Sequence, residues 1–167
     1  MEARRTASQQ LRSVPAYRLL TLMDAEHGAS DGVAARAARQ QEIAGTDQEI
    51  AVLVAQDSLP VDAELELWSG PPTEPPPDGW YGPVPLTLDC PSGELHLGSP
   101  TGAVVGLTVP AGWYDVHVYH LGRSEAEEAA ETLDRELQHL SIPQRVAEFE
   151  RRGGGIERYV IRLWPRR

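Results

Sequence analysis

The sequence has no lysine, no asparagine and a single cysteine. All 15 of its basic residues are arginine, a preference that fits a GC-rich genome rather than a particular function. One cysteine, Cys90, excludes an internal disulfide and any zinc site built from several thiolates. No apolar run approaches the roughly 18 residues of a membrane-spanning helix. Met1 to Gln10 is polar, carries two arginines and has no apolar stretch, so it does not read as a secretory signal. A cytoplasmic location is the expectation. Basic residues are also scarce overall, 15 against 25 acids for a net charge of -10. That balance argues against a general nucleic-acid or anionic-membrane binder, whose footprint is basic. What is present is 41% hydrophobic residues in 167 positions, enough for one domain with a real core.

The charge is unevenly spread. From Gln40 to Gly122, 83 residues hold twelve acids and no arginine, whereas the remaining segments hold 13 acids and all 15 arginines. This predicts an electrostatically two-sided molecule, with an acidic body and basic ends.

Periodicity gives the organisation. Residues 1–13 are expected to be a flexible N-terminal arm, with 14–167 forming a single β-sandwich domain. Tyr17–Met23 alternates weakly, and Glu26–Asp47 reads as a loop carrying a short helix over Val33–Gln41. Period-two patterns then follow over Glu49–Gln56, Ala63–Trp68, Val84–Cys90, Glu94–Leu97, Ala103–Val109 and Trp113–Leu121. Turn chemistry separates them, including Ser69–Pro77 with its five prolines, Pro91-Ser92-Gly93 and Pro110-Ala111-Gly112. After Gly122 the period changes. Ser124 with Glu127 fits a capping box, and Ala126, Ala130, Leu133, Leu137 and Leu140 share a helical face. Gly153-Gly154-Gly155 leads into a last strand, Ile156–Trp164, stopped by Pro165. The predicted fold is mainly β, an antiparallel sandwich of about seven to eight strands, with a helical insertion over 124–152 before the last strand.

Three segments carry a resemblance: Asp78-Gly79-Trp80 with Pro91-Ser92-Gly93-Glu94-Leu95; Val109-Pro110-Ala111-Gly112-Trp113-Tyr114-Asp115-Val116-His117-Val118 with Gly122-Arg123; and Glu157-Arg158-Tyr159-Val160-Ile161-Arg162-Leu163-Trp164-Pro165. Together they resemble a group of small bacterial β-rich proteins common in actinobacteria, over roughly Glu49 to Pro165. More distantly, the layout resembles competence-type nuclease inhibitors and toxin-immunity proteins. The resemblance implies a binding rather than a catalytic role, and it carries no catalytic residues.

The residues themselves offer little chemistry. His117 and His120 are three apart on one strand and so point to opposite faces, although His96 is a candidate to meet His117 across a sheet. Glu136-x-x-His139 occurs once, whereas a di-iron bundle needs two copies and two further glutamates. Cys90 alternates with Val84, Leu86 and Leu88 and reads as a buried small hydrophobe. There is no nucleophile elbow, phosphate loop or dinucleotide fingerprint. No cofactor, metal or catalytic residue is expected.

Acids at polar strand positions beside aromatics suggest a protein-binding face, where charge steers the encounter and an aromatic anchors it. The candidate partner-binding residues are Glu64, Glu66, Trp68, Trp80, Tyr81, Asp89, Glu94 and Asp115. The expected function is a non-catalytic immunity- or inhibitor-type module that engages a basic partner, such as a nuclease or toxin. Two alternatives stand beside it: an assembly component whose basic ends dock on the acidic body of another copy, and a metal-dependent small-molecule enzyme.

Overall fold

A computed structural model describes residues 2–167. The chain forms β1 (Arg5–Ser13), β2 (Leu19–Asp24), α1 (Val33–Gln41), β3 (Ile43–Gly45), β4 (Glu49–Leu53), β5 (Val61–Trp68) and β6 (Tyr81–Cys90). These are followed by β7 (Glu94–Gly98), β8 (Val104–Thr108), β9 (Gly112–Leu121), α2 (Arg123–Glu136), α3 (Ile142–Gly153) and β10 (Arg158–Pro165). Among the described residues ten strands lie in two sheets, ordered β1-β5-β10-β9-β6 and β3-β4-β2-β7-β8, and neither closes into a barrel. Among the described residues no helix is long and apolar enough to cross a membrane.

The alternation read from the sequence sets the inner faces. Val61, Ala63, Leu65 and Leu67 of β5 meet Val116 and Val118 of β9 and Ile161 and Leu163 of β10 in one buried cluster. Leu20, Leu22, Ile50, Val52, Leu95 and Leu97 from the second sheet complete that cluster. Cys90 lies in it and is fully buried. Two smaller clusters hold the helices. Ala34 and Ala38 of α1 pack on Ala44 and Ala51 outside the second sheet. Leu133 and Leu137 of the helical insertion pack with Phe149 and Leu59.

Several expectations need correction. Residues 5–13 are not an arm: β1 pairs antiparallel with β5, from Arg5 opposite Trp68 to Ser13 opposite Val61. Its apolar signal is only Ala7 and Leu11, too sparse for a periodicity reading. β3 has three residues and escapes one for the same reason. Together they raise the strand count to ten. The sheets are not wholly antiparallel either, since β10 runs parallel to β5. Helix α2 begins two residues earlier than the Ser124 cap predicts. Gly122, in the left-handed region at φ 78°, is its N-cap. A capping box occurs instead at α3, where the Ser141 N–H donates to Gln144 Oε1 at 3.1 Å.

The parallel pair has a consequence for the proline-rich segment. β9 is antiparallel to both β10 and β6, so β5 and β6 run in the same direction and the chain between them must return along the sheet. Residues 69–80 do this. Twelve residues of polyproline-like chain reach about 37 Å, against about 26 Å for an eight-residue strand. The crossover lies over the outer face of the first sheet: Glu74 O accepts from Arg162 Nη1 at 2.7 Å, Pro76 is buried, and the Arg158 guanidinium sits 5.4 Å from the Trp80 ring.

Candidate functional site

The outer face of the first sheet carries Asp62, Glu64, Glu66 and Trp68 from β5 beside Arg158 and Arg162 from β10. Both ends of the chain bring arginine to it. Arg5 Nη1 lies 3.0 Å from Glu64 Oε1 and 3.0 Å from Glu66 Oε1. Arg12 grips Asp62 with two bonds, at 2.6 and 2.8 Å. Arg162 Nε donates to Glu66 Oε2 at 2.9 Å, and Trp68 Nε1 donates to the same oxygen at 2.8 Å. The Arg162 guanidinium lies between the rings of Trp68 and Tyr119, 5.2 and 5.6 Å from their centroids. Asp115 faces Arg166 at 3.7 Å.

The charge separation of the sequence is therefore not a separation in space. β1 and β10 flank β5 in the sheet order, so arginines at the chain ends land on the acids of its middle. An acidic face on this sheet, expected from Glu64, Glu66 and Asp115, is replaced by a compensated lattice partly roofed by the proline crossover. Most of its exposed pairs contribute little to stability. Glu66 is different, because its side chain is only 7% exposed and Arg162 only 11%. Arg162→Ala is expected to cost about 2–3 kcal/mol, since it takes the one buried cation from a buried carboxylate and leaves only the half-exposed Arg5 opposite it. Urea unfolding checks this, with Arg12→Ala as an exposed-pair control that should shift the midpoint far less.

Of the other candidates, Trp80 reaches that face, with its ring 5.4 Å from the Arg158 guanidinium, whereas Tyr81, Asp89 and Glu94 stay outside the lattice of pairs. Trp80 and Tyr81 sit where the crossover enters β6. Tyr81 is 66% exposed and stacks on His120 with ring centroids 5.3 Å apart. Burial, and then Arg123, hold the His120 imidazole below its ordinary range. Asp89 lies at the far end of β6, its N–H donating to Asp47 O at 2.7 Å. Glu94 is on the second sheet, where it accepts from Thr108 Oγ1 at 2.8 Å. His96 and His117 belong to different sheets and do not meet. Among the described residues no group of three or more His, Cys, Asp or Glu is placed to hold a metal ion. Glu136 pairs with Arg152 at 2.8 Å. The Cys90 thiol is pushed up to about 12, first by burial and then by Asp24, which is the wrong direction for a nucleophile.

A second acidic surface lies on the helical insertion. Glu127, Glu131 and Asp134 follow the i, i+4, i+7 spacing of one helical stripe and, with Asp57 and Ser58, line a groove of about 440 Å³. The one basic residue in its lining is Arg18, whose guanidinium is engaged by the carbonyls of Val54 and Ala55 at 3.0 and 2.8 Å. Asp134 pairs with Arg145 at 2.9 Å. Glu125, Glu127, Glu128 and Glu131 take part in none of the ion pairs among the described residues. The stripe was visible in the sequence by the same arithmetic that gave the apolar face.

A buried network fixes the groove wall to the sheet. Glu157 is 1% exposed. It accepts from Ala55 N at 2.7 Å, Gln56 Nε2 at 3.2 Å and the Tyr159 hydroxyl at 2.6 Å. Arg123, at the first turn of α2, donates to Tyr159 Oη at 2.6 Å and Leu53 O at 2.7 Å. Burial, with the Glu157 charge adding to it, raises the Tyr159 phenol above its ordinary range, so it stays a neutral donor. Gly122-Arg123 and Glu157-Arg158-Tyr159, two of the segments behind the sequence resemblance, thus serve as the joint between α2, the Val54–Leu59 loop and β10.

No family model matches the chain, and no curated protein does. Two solved structures are similar to it. One is the crystal structure of ComJ, inhibitor of the DNA degrading activity of NucA, from Bacillus subtilis, at 13% identity and a TM-score of 0.63, covering 99% of this chain and 100% of ComJ. The other is described as Crocagin biosynthetic gene J, at 16% identity and a TM-score of 0.55, covering all of both chains. At these identities the likeness is one of fold alone.

Proposed function

We propose that the chain is a non-catalytic, inhibitor-type binding module that engages a basic protein surface, such as the nucleic-acid groove of a nuclease. The observation that carries this reading is the group Glu125, Glu127, Glu128 and Glu131 on one helix, exposed and in none of the ion pairs among the described residues, while Asp62, Glu64, Glu66 and Asp115 of the first sheet are compensated. Carboxylates clustered on a rigid helix imitate phosphate charge, steer a cationic partner and give a salt-dependent on-rate. Tyr81, exposed at the sheet end where β9 leads into α2, supplies an aromatic anchor nearby. ComJ, whose fold the chain shares, inhibits the DNA-degrading activity of NucA, which fits the same class of role. A homo-oligomer held by basic ends on a neighbour's acidic body loses its motive, because Arg5, Arg12, Arg162 and Arg166 face acids of their own chain.

The test titrates the protein into DNA-degradation assays of bacterial nucleases with basic substrate grooves, alongside a pull-down from lysate of the source organism at low and high salt. Activity should fall to a plateau at an equimolar ratio for one nuclease. The inhibition should weaken steeply as ionic strength rises and the Debye length contracts below about 8 Å. No inhibition at large molar excess, together with no basic protein retained at low salt, contradicts the proposal.

A further inference from the structure

The outer face of the second sheet, beside α1, holds a cavity of about 340 Å³. Thr21 and Met23 of β2 and His96 of β7 contribute to it, Ala35 of α1 forms part of its wall, and Val104 of β8 stands at its exposed side. Sheet register puts Glu49, Met23 and His96 in one row across three neighbouring strands. Glu49 also lines the cavity and is 3% exposed. Its Oε2 accepts a hydrogen bond from Ser30 Oγ, and it takes part in none of the ion pairs among the described residues. A buried carboxylate held by a single hydroxyl is costly unless a cation joins it.

We infer that this cavity binds an aliphatic primary ammonium group, with Glu49 as its counter-ion. The wall chemistry sets the ligand class. One carboxylate offers a point partner to an ammonium, whereas a guanidinium fork wants two parallel acceptors and a divalent cation wants several oxygens. Thr21, Met23 and Ala35 give an aliphatic stem an apolar path. His96 lies two strands from Glu49, about 10 Å between backbones, and closes the opposite end. The site is on the sheet away from the α2 groove and does not rest on the inhibitor reading. The ammonium belongs either to a free alkylamine or to a lysine side chain of another protein.

Calorimetric titration at neutral pH tests this with n-butylammonium, with 1-pentanol as a neutral probe of similar length, and with Nα-acetyl-lysine methylamide. Saturable binding of butylammonium is expected, about tenfold or more tighter than the alcohol, and weakened by a similar factor in Glu49→Gln. Ala35→Leu fills the cavity while leaving Glu49 in place and should also abolish binding. Circular dichroism confirms that each variant is folded, and Ala35→Leu decides the matter if Glu49→Gln does not fold. Binding of the lysine amide as well assigns the site to a protein side chain, and binding of butylammonium alone assigns it to a free amine. Equal affinity for alcohol and amine, binding unchanged in either folded variant, or no saturable binding of butylammonium or the lysine amide overturns the inference.

Discussion

Replacing Glu157 by alanine is expected to lower folding stability by about 3–5 kcal/mol, a large part of the 5–15 kcal/mol typical of a domain. The carboxylate receives Ala55 N, Gln56 Nε2 and the Tyr159 hydroxyl in a site with almost no solvent. Removing it leaves those donors unsatisfied and leaves Arg123, 3.9 Å away and 13% exposed, short of its nearest buried counter-charge. Glu157→Gln keeps the shape and one acceptor oxygen but turns an amide N–H₂ toward groups that are themselves donors, so it should lie between wild type and alanine. Urea unfolding of the three proteins checks the order. The same change loosens the Val54–Leu59 loop that walls the acidic groove, so partner affinity should fall even at temperatures where the variant is still folded.

Gly122→Ala is expected to be of similar size, about 2–5 kcal/mol, by a different cause. Gly122 sits at φ 78° and ψ 19°, a region that disfavours a β-carbon by about 1–2 kcal/mol. A β-carbon there would also overlap the carbonyl oxygen of Ile156, which is backbone and not free to rotate away, adding the roughly 1–3 kcal/mol of forced repacking. Thermal unfolding should show a drop of many degrees. Gly28→Ala is the informative control. It has a similar φ of 80° but nothing within 4 Å of the added carbon, so it should report the backbone contribution alone.

Sequence periodicity carried the long strands because their alternation is strong. Val116 and Val118 of β9 and Ile161 and Leu163 of β10 are all fully buried, as a period of two requires. The short helix over Val33–Gln41 and the insertion after Gly122 were legible for the same kind of reason. β1 was not, because a strand held by a backbone ladder and by arginine pairs leaves almost no apolar pattern. The larger error concerned charge. Counting along the chain treated residues distant in sequence as distant in space, but pairing of β1 and β10 on either side of β5 is long-range, and it puts Arg5 and Arg162 on Glu66. Of the eight candidate residues, Glu64, Glu66 and Trp68 are bound into that lattice. Tyr81 remains an exposed aromatic, and Glu125, Glu127, Glu128 and Glu131 form an exposed acidic group on α2 outside the ion pairs.

The most direct test separates these two surfaces. One variant replaces Glu125, Glu127, Glu128 and Glu131 with glutamine. The other replaces Glu64 and Asp115, at exposed pairs of the first sheet, with glutamine and asparagine. Both are titrated against the inhibited nuclease, or against the basic protein retained at low salt, with affinity and association rate measured. The helix variant should lose about tenfold or more in affinity, mostly in association rate, while the sheet variant stays within about twofold of wild type. Full affinity in the helix variant together with loss in the sheet variant would contradict the assignment and return the binding surface to the first sheet.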